Sequence, residues 1–268
     1  MFTEFPVPAE SARVRMTLAY DGSSFRGFAA QPGQRTVAGE LARAMSNFCR
    51  HDVELVCAGR TDSGVHAQGQ VVHADIDPGV DPEALKRAVN RQLSPSVVVL
   101  AAELAPKGFD ARRSATARSY RYLVLRSEEP DPLLARIAWH IAEPLDRRTM
   151  NAGADALLGE HDFSAFCRRP PGRPRGEPIT RRVTSAEWRV DEVLTGGREG
   201  ECVLRFEITA SSFCHQMVRS VVGALVEIGR GRSKPSDIPR LFERGDRAGV
   251  KVLAPPRGLC LMSVSYGE

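Results

Sequence analysis

Long apolar runs, clustered cysteines and lysine are what this sequence has little of. The longest uninterrupted apolar stretch, Val97 to Ala102, stops at Glu103, far short of the ~20 residues that a membrane-spanning helix needs. The first residues, Met1-Phe2-Thr3-Glu4-Phe5-Pro6, carry an acid and a proline where a secretory signal needs a basic start and an apolar core. Together these absences point to a soluble, cytoplasmic protein. The cysteines Cys49, Cys57, Cys167, Cys202, Cys214 and Cys260 lie far apart, and no Cys-x-x-Cys pair exists. A zinc site or a disulfide scaffold wants them clustered, so six reduced thiols are expected. No His-Glu-x-x-His pattern occurs, and His66 and His73 are spaced wrongly for one helix face, so no metal is expected.

What remains is globular. The chain has 268 residues, 42% of them hydrophobic and 26% charged, which excludes disordered and fibrous classes. That length suffices for one large domain or two medium ones, burying roughly three-quarters of the unfolded surface. The net charge is only +4, yet 33 arginines stand against 4 lysines. The excess has two readings. One is a GC-rich genome whose codons favour arginine; the other is phosphate binding, which suits a bidentate guanidinium better than an ammonium. Arg168-Arg169, Arg173-x-Arg175 and Arg181-Arg182 gather the charge in one stretch, which brings nucleic acid into view as a partner.

Periodicity divides the chain into two similar halves. In the first, Arg13–Tyr20 alternates as a strand and Val37–Arg50 has helical apolar spacing at Leu41, Ala44, Met45 and Phe48. Val53–Ala58 and Gln70–Ile76 read as strands, Pro82–Gln92 as a helix and Ser96–Glu103 as a β-branched strand. The order is β-α-β-β-α-β. The second half repeats it: strand Ala117–Leu125, helix Leu145–Leu158, strands Arg181–Val190 and Cys202–Ala210 around a Gly196-Gly197 turn. A long helix Phe213–Gly229 follows, then a short helix after Lys234-Pro235 and a strand Leu259–Tyr266. The expected fold is α+β, two four-stranded βαββαβ halves joined edge to edge. The domains expected are 12–113, carrying an Asp loop, and 114–268, carrying a Tyr strand and an Arg helix. Arg168 to Pro178, with four prolines, two glycines and four arginines, must be a loop, either a solvated connection or a nucleic-acid contact.

Three stretches carry chemistry. Gly59-Arg60-Thr61-Asp62-Ser63-Gly64-Val65-His66 falls between two strands, which puts Asp62 at a loop tip where two glycines allow close approach of a ligand. Its plainest alternative is an Asp-Ser-Gly turn whose carboxylate caps its own backbone. An aspartic protease site would need a second Asp-Ser/Thr-Gly and a shared proton; only one is present, and Arg60 would hold Asp62 ionised. In Arg118-Ser119-Tyr120-Arg121-Tyr122, alternation puts Tyr120 and Tyr122 on one face and Ser119 and Arg121 on the other. Tyr120 is a half-buried sheet tyrosine or a ring that stacks on a base. Arg219 lies in Met217-Val218-Arg219-Ser220-Val221-Val222, a mostly apolar helix with no acid before Glu227. An arginine there needs a carboxylate from elsewhere, and Asp62 is a candidate.

These stretches, with Tyr20-Asp21-Gly22, Gln34-Arg35-Thr36-Val37, His161-Asp162-Phe163, Gly229-Arg230-Gly231-Arg232 and Ala254-Pro255, resemble in order and along nearly the whole chain the TruA family of tRNA pseudouridine synthases. Cys214 departs from the pattern, standing where an aliphatic residue is common. The resemblance implies the pseudouridine synthase fold, with ferredoxin-like halves forming one extended mixed sheet flanked by helices, and a homodimer. It implies isomerisation of uridines to pseudouridine in the tRNA anticodon stem-loop, at tRNA positions 38, 39 and 40. The N-glycosidic bond breaks, the uracil turns and rejoins through C5, with no redox change and no cofactor. By the same resemblance Asp62 is the catalytic carboxylate, attacking C1′ or removing a sugar proton. Tyr120 packs on the uracil, Arg60 fills the space of the flipped nucleotide and Arg219 serves the carboxylate. A non-catalytic RNA-binding protein would use the same arginines but relies on sheet aromatics, and only 17 aromatics are present, with no Lys/Arg-Gly-Phe-Gly-Phe-type strand.

Overall fold

The computed structural model describes residues 10–169, 172, 174, 176–194 and 201–267. The chain divides into two compact units, Met1–Thr116 with Leu261–Glu268, and Ala117–Cys260. In the first unit the elements are β1 (Ala12–Tyr20), α1 (Val37–Cys49), β2 (Val56–Cys57), β3 (His66–Ile76), α2 (Pro82–Leu93) and β4 (Val97–Ala105). The chain's last strand, Leu259–Tyr266 (β10), adds its end to this unit. The strand order is β4-β1-β3-β10, with β2 beside β3.

The apolar alternation of β1 buries Val14, Met16, Leu18 and Tyr20 on one face. Met16 sits opposite Val72 of β3 and Ala102 of β4, both antiparallel. Thr36 caps α1 by accepting from Gly39 N at 3.2 Å, and Val37, Leu41, Ala44 and Met45 turn inward, as helical spacing requires. Asp81 caps α2 in the same manner, with Pro82 in its first turn. Asn90 ties α2 to β4 with both ends of its amide: it donates to Val99 O at 2.9 Å and accepts from Val99 N at 2.7 Å.

The expected strand Val53–Ala58 shrinks to Val56–Cys57, because only those two residues find register partners on β3. The Val53 N–H is taken by Ser46 Oγ at 3.0 Å instead. Conversely β3 starts at His66, four residues before the expected Gln70, since Ala67 pairs with Tyr20 across a bulge.

The second unit holds β5 (Ala115–Arg126), β6 (Trp139–Ile141), α3 (Arg147–Asp155), β7 (Gly159–Asp162), β8 (Thr180–Val190), β9 (Cys202–Ala210), α4 (Met217–Gly229) and α5 (Asp237–Arg244). Its strand order is β5-β9-β8-β7, antiparallel throughout, with β6 parallel to β5. Two strands were not expected: β6 and β7 have three and four residues, too few to show an alternation. Helix α4 starts at Met217, not Phe213, because Gln216 adopts a left-handed φ of 65° just before it and interrupts the helical path. The Gly196-Gly197 turn lies outside the described residues. The fold is α+β. Among the described residues no helix is long and apolar enough to cross a membrane.

Six reduced thiols are not what the structure holds. Cys167 and Cys214 form a disulfide with Cα atoms 5.7 Å apart, while Cys49, Cys57, Cys202 and Cys260 are free. The two partners are 47 residues apart in sequence. Sequence clustering is therefore a poor guide here: the fold, not the spacing, brings the sulfurs together.

Candidate active site

Asp62 sits in a loop fixed by its own backbone and by its neighbours. The turn closes through Val65 N donating to Asp62 O at 3.1 Å, with Gly64 at φ 79°, the positive value that favours glycine. Thr61 is buried, and its hydroxyl lies 2.8 Å from that of Tyr20 at the end of β1. Gln70 of β3, fully buried, donates from Nε2 to Gly59 O at 2.6 Å and reaches Tyr20 Oη at 3.5 Å. On the other side Phe28 N donates to Thr61 O at 3.1 Å and Ser63 Oγ to Phe25 O at 3.2 Å. Gly22 lies so close to Val65 that a Cβ there would run into the Val65 carbonyl, and its N–H donates to His66 Nδ1 at 3.2 Å. The motif Tyr20-Asp21-Gly22 thus supports the Asp62 loop from below. Asp62 is half-buried and Arg60 exposed, so the loop offers a carboxylate on a rigid base with a solvent-facing cation two residues away.

The Tyr20–Thr61–Gln70 chain has almost no mark in the sequence. Its only signal is Gln70, a polar residue leading the apolar run Val71-Val72 in a strand, where a buried amide must find a partner.

The other site residues belong to the second unit. Tyr120 and Tyr122 share the buried face of β5, as alternation requires, while Ser119 pairs with Thr209 at 2.8 Å and Arg121 with Glu207 at 2.9 Å on the opposite face. The Tyr120 ring meets Phe213 edge-on at 5.0 Å. Tyr122 is fixed by donation to Pro255 O at 2.8 Å, and Gly258 leaves its ring room that a Cβ would fill. Burial pushes the Tyr122 hydroxyl pKa far up, against the opposing charges of Arg219 and Arg257, so Tyr122 acts as a structural hydrogen-bond donor. Arg219 is half-buried on the first turn of α4, and its Nε donates to Ala254 O at 2.7 Å. A backbone carbonyl thus takes one donor of this guanidinium.

His161-Asp162-Phe163 proves architectural. His161 stacks on Phe242 at 4.5 Å. Asp162 Oδ1 accepts from Ser164 Oγ at 2.6 Å, Ser164 N at 3.0 Å and Ile179 N at 2.7 Å. Burial opposes its charge, but those hydrogen bonds and Arg169 hold its carboxyl below the ordinary range. In the basic stretch, Arg169 Nη1 donates to the carbonyls of Pro174 and Glu177 at 2.9 and 2.8 Å. Arg173 and Arg175 lie outside the described residues.

The profile of the family described as tRNA pseudouridine synthase matches residues 16–112 and 154–267, and the chain belongs to that family. Curated relatives called "tRNA pseudouridine synthase A" are similar over almost their whole length. The one from Frankia casuarinae is 42% identical over 258 residues, 95% of this chain and 89% of the relative. That from Leifsonia xyli subsp. xyli is 39% identical, covering 96% and 92%, and that from Bacillus velezensis is 37% identical, covering 95% and 99%.

Proposed function

We propose that this chain isomerises uridine to pseudouridine in the anticodon stem-loop of tRNA, at positions 38, 39 and 40, with Asp62 as its catalytic residue. The observation that carries the reading is the Asp62 loop: in a chain of this family, the Gly59-Arg60-Thr61-Asp62 segment presents one half-buried carboxylate on a base fixed from both sides. Asp62 works ionised, as nucleophile at C1′ or as base toward a sugar proton. Either role gains from a loop that need not reorganise during the reaction, since a misplaced reacting group costs rate steeply.

The remaining roles follow from shape and charge. Arg60, exposed beside Asp62, occupies the space that the flipped nucleotide vacates, and so offsets part of an extrusion cost of about a few kcal/mol. Tyr120, held edge-on by Phe213, packs on the uracil, and Arg219 binds the substrate. The chemistry conserves oxidation state and needs no cofactor. The protein works in the cytoplasm, as a homodimer.

The reaction has a direct signature, because C5 loses its hydrogen when it bonds to the sugar. With tRNA tritiated at uracil C5, the protein releases tritium to water from anticodon-arm uridines. Bulk tRNA that yields no tritium would overturn the proposal.

A further inference from the structure

A cavity of about 340 Å³ in the second unit is lined by Ser164, Cys167, Arg169, Asp246 and Arg247 among others. It lies beside the Asp162 cluster, and it plays no part in the roles assigned above.

Arg247 is the unusual wall. One terminal nitrogen, Nη2, donates to Gln216 Oε1 at 2.6 Å, while Nη1 is buried with no hydrogen-bond partner. An unpaired buried donor on a cation is costly. Its surroundings worsen matters: burial and the positive charges of Arg168 and Arg219 all lower its pKa. Two acids lie nearby, and each holds backbone N–H groups. Asp246 accepts from Ala248 N at 2.9 Å, capping its own turn. Asp162 is engaged by Ser164 and Ile179 and faces Arg169. Arg247 thus keeps an unused buried donor in the wall of this cavity, with the positive charges of Arg168 and Arg219 bearing on it.

We propose that this cavity binds one phosphodiester group of the RNA backbone, with Arg247 and Arg169 as its principal cations. The inference rests on the reading of the substrate as tRNA. A phosphodiester brings one negative charge and acceptor oxygens in the planar spacing a guanidinium fork matches. It also supplies a partner for the buried Arg247 Nη1 and a negative charge that offsets the positive charges of Arg168 and Arg219 bearing on Arg247. Phosphate binding of this kind fixes position and register without reading sequence.

Two variants test the site in different ways. Arg247→Gln removes the cation. Gln216→Glu keeps the side-chain shape but places an internal carboxylate against Arg247, satisfying it without a ligand. For wild type and both variants, tRNA affinity is measured across a salt series, and melting temperature is measured in inorganic phosphate against chloride of equal ionic strength. In each variant the slope of log affinity against log salt is expected to fall by about 0.7–0.9, the share that neutralising a single phosphate carries. A phosphate-induced rise in Tm is expected only in the wild type. Unchanged slopes in both variants would overturn the proposal. A phosphate effect abolished while the slopes stay unchanged would also overturn it, identifying a free-phosphate site instead. Should Arg247→Gln fail to fold, Gln216→Glu decides alone. A wild type that releases no tritium from tRNA, while the variants still show the smaller slope, would sink the proposed activity and leave this site standing.

Discussion

At the scale of single residues, the proposed function rests on polar groups whose partners are settled before any substrate arrives. Thr61, Tyr20 and Gln70 hold the Asp62 loop by hydrogen bonds of 2.6–3.5 Å. In the second unit Asp162 holds Ser164 and Ile179 by the same means. The depressed pKa of Asp162 makes its contribution depend on pH in a definite direction. The folded-state value lies below the unfolded one, so the stabilisation is complete above the ordinary carboxylate range, about pH 4, and is lost as pH falls through the lower folded value. At neutral pH, Asp162→Asn is expected to cost about 1 kcal/mol after allowance for solvent screening, or about 2–4 °C in Tm. Melting curves of both proteins across pH check this: the gap closes on acidification. A gap that is unchanged at the lowest pH would show that the carboxylate charge has no part in it.

At the scale of elements, periodicity made most of the fold legible and proximity stayed hidden. β1, α1, α2 and β9 appear where alternation and helical spacing put them, since each buries one face over several turns or residue pairs. The short β6 and β7 escaped, and the start of α4 was misplaced because Gln216 carries no sequence mark of its left-handed φ. Of the candidate site, Asp62, Arg60, Tyr120 and Arg219 were readable from motifs, whereas Arg247 was not. In Glu243-Arg244-Gly245-Asp246-Arg247 it reads as surface charge, and only the fold shows it half-buried against Gln216. The Cys167–Cys214 bridge was equally invisible. It ties the 3₁₀ turn at Ser164–Phe166 to the entry of α4, across a sequence separation of 47. In the chain-entropy picture a loop of that length gives about 4 kcal/mol by restricting the unfolded chain. Dithiothreitol should therefore lower the Tm of the wild type and leave that of Cys214→Val unchanged. A wild type indifferent to reductant would mean that the two thiols are not joined.

At the scale of the whole molecule, the modest net charge of +4 conceals a division of labour among the arginines. Some are neutralised in ion pairs, such as Arg13 with Asp75 at 2.8 Å and Arg230 with Glu143 at 2.7 Å. Others, such as Arg60, face solvent, and Arg247 sits in a like-charged surround. The former serve the fold, and the latter are the ones proposed to meet an anionic polymer. The proposed roles separate binding from chemistry: the arginines would govern how tightly tRNA is held, and Asp62 whether it is changed. The most direct measurement is tritium release from C5-labelled tRNA by Asp62→Asn, paired with its tRNA affinity. The substitution keeps the side-chain shape and removes the carboxylate, so release should vanish while affinity stays within a few-fold of the wild type. Continued release at a rate comparable to the wild type would place the chemistry on another residue and contradict the central claim.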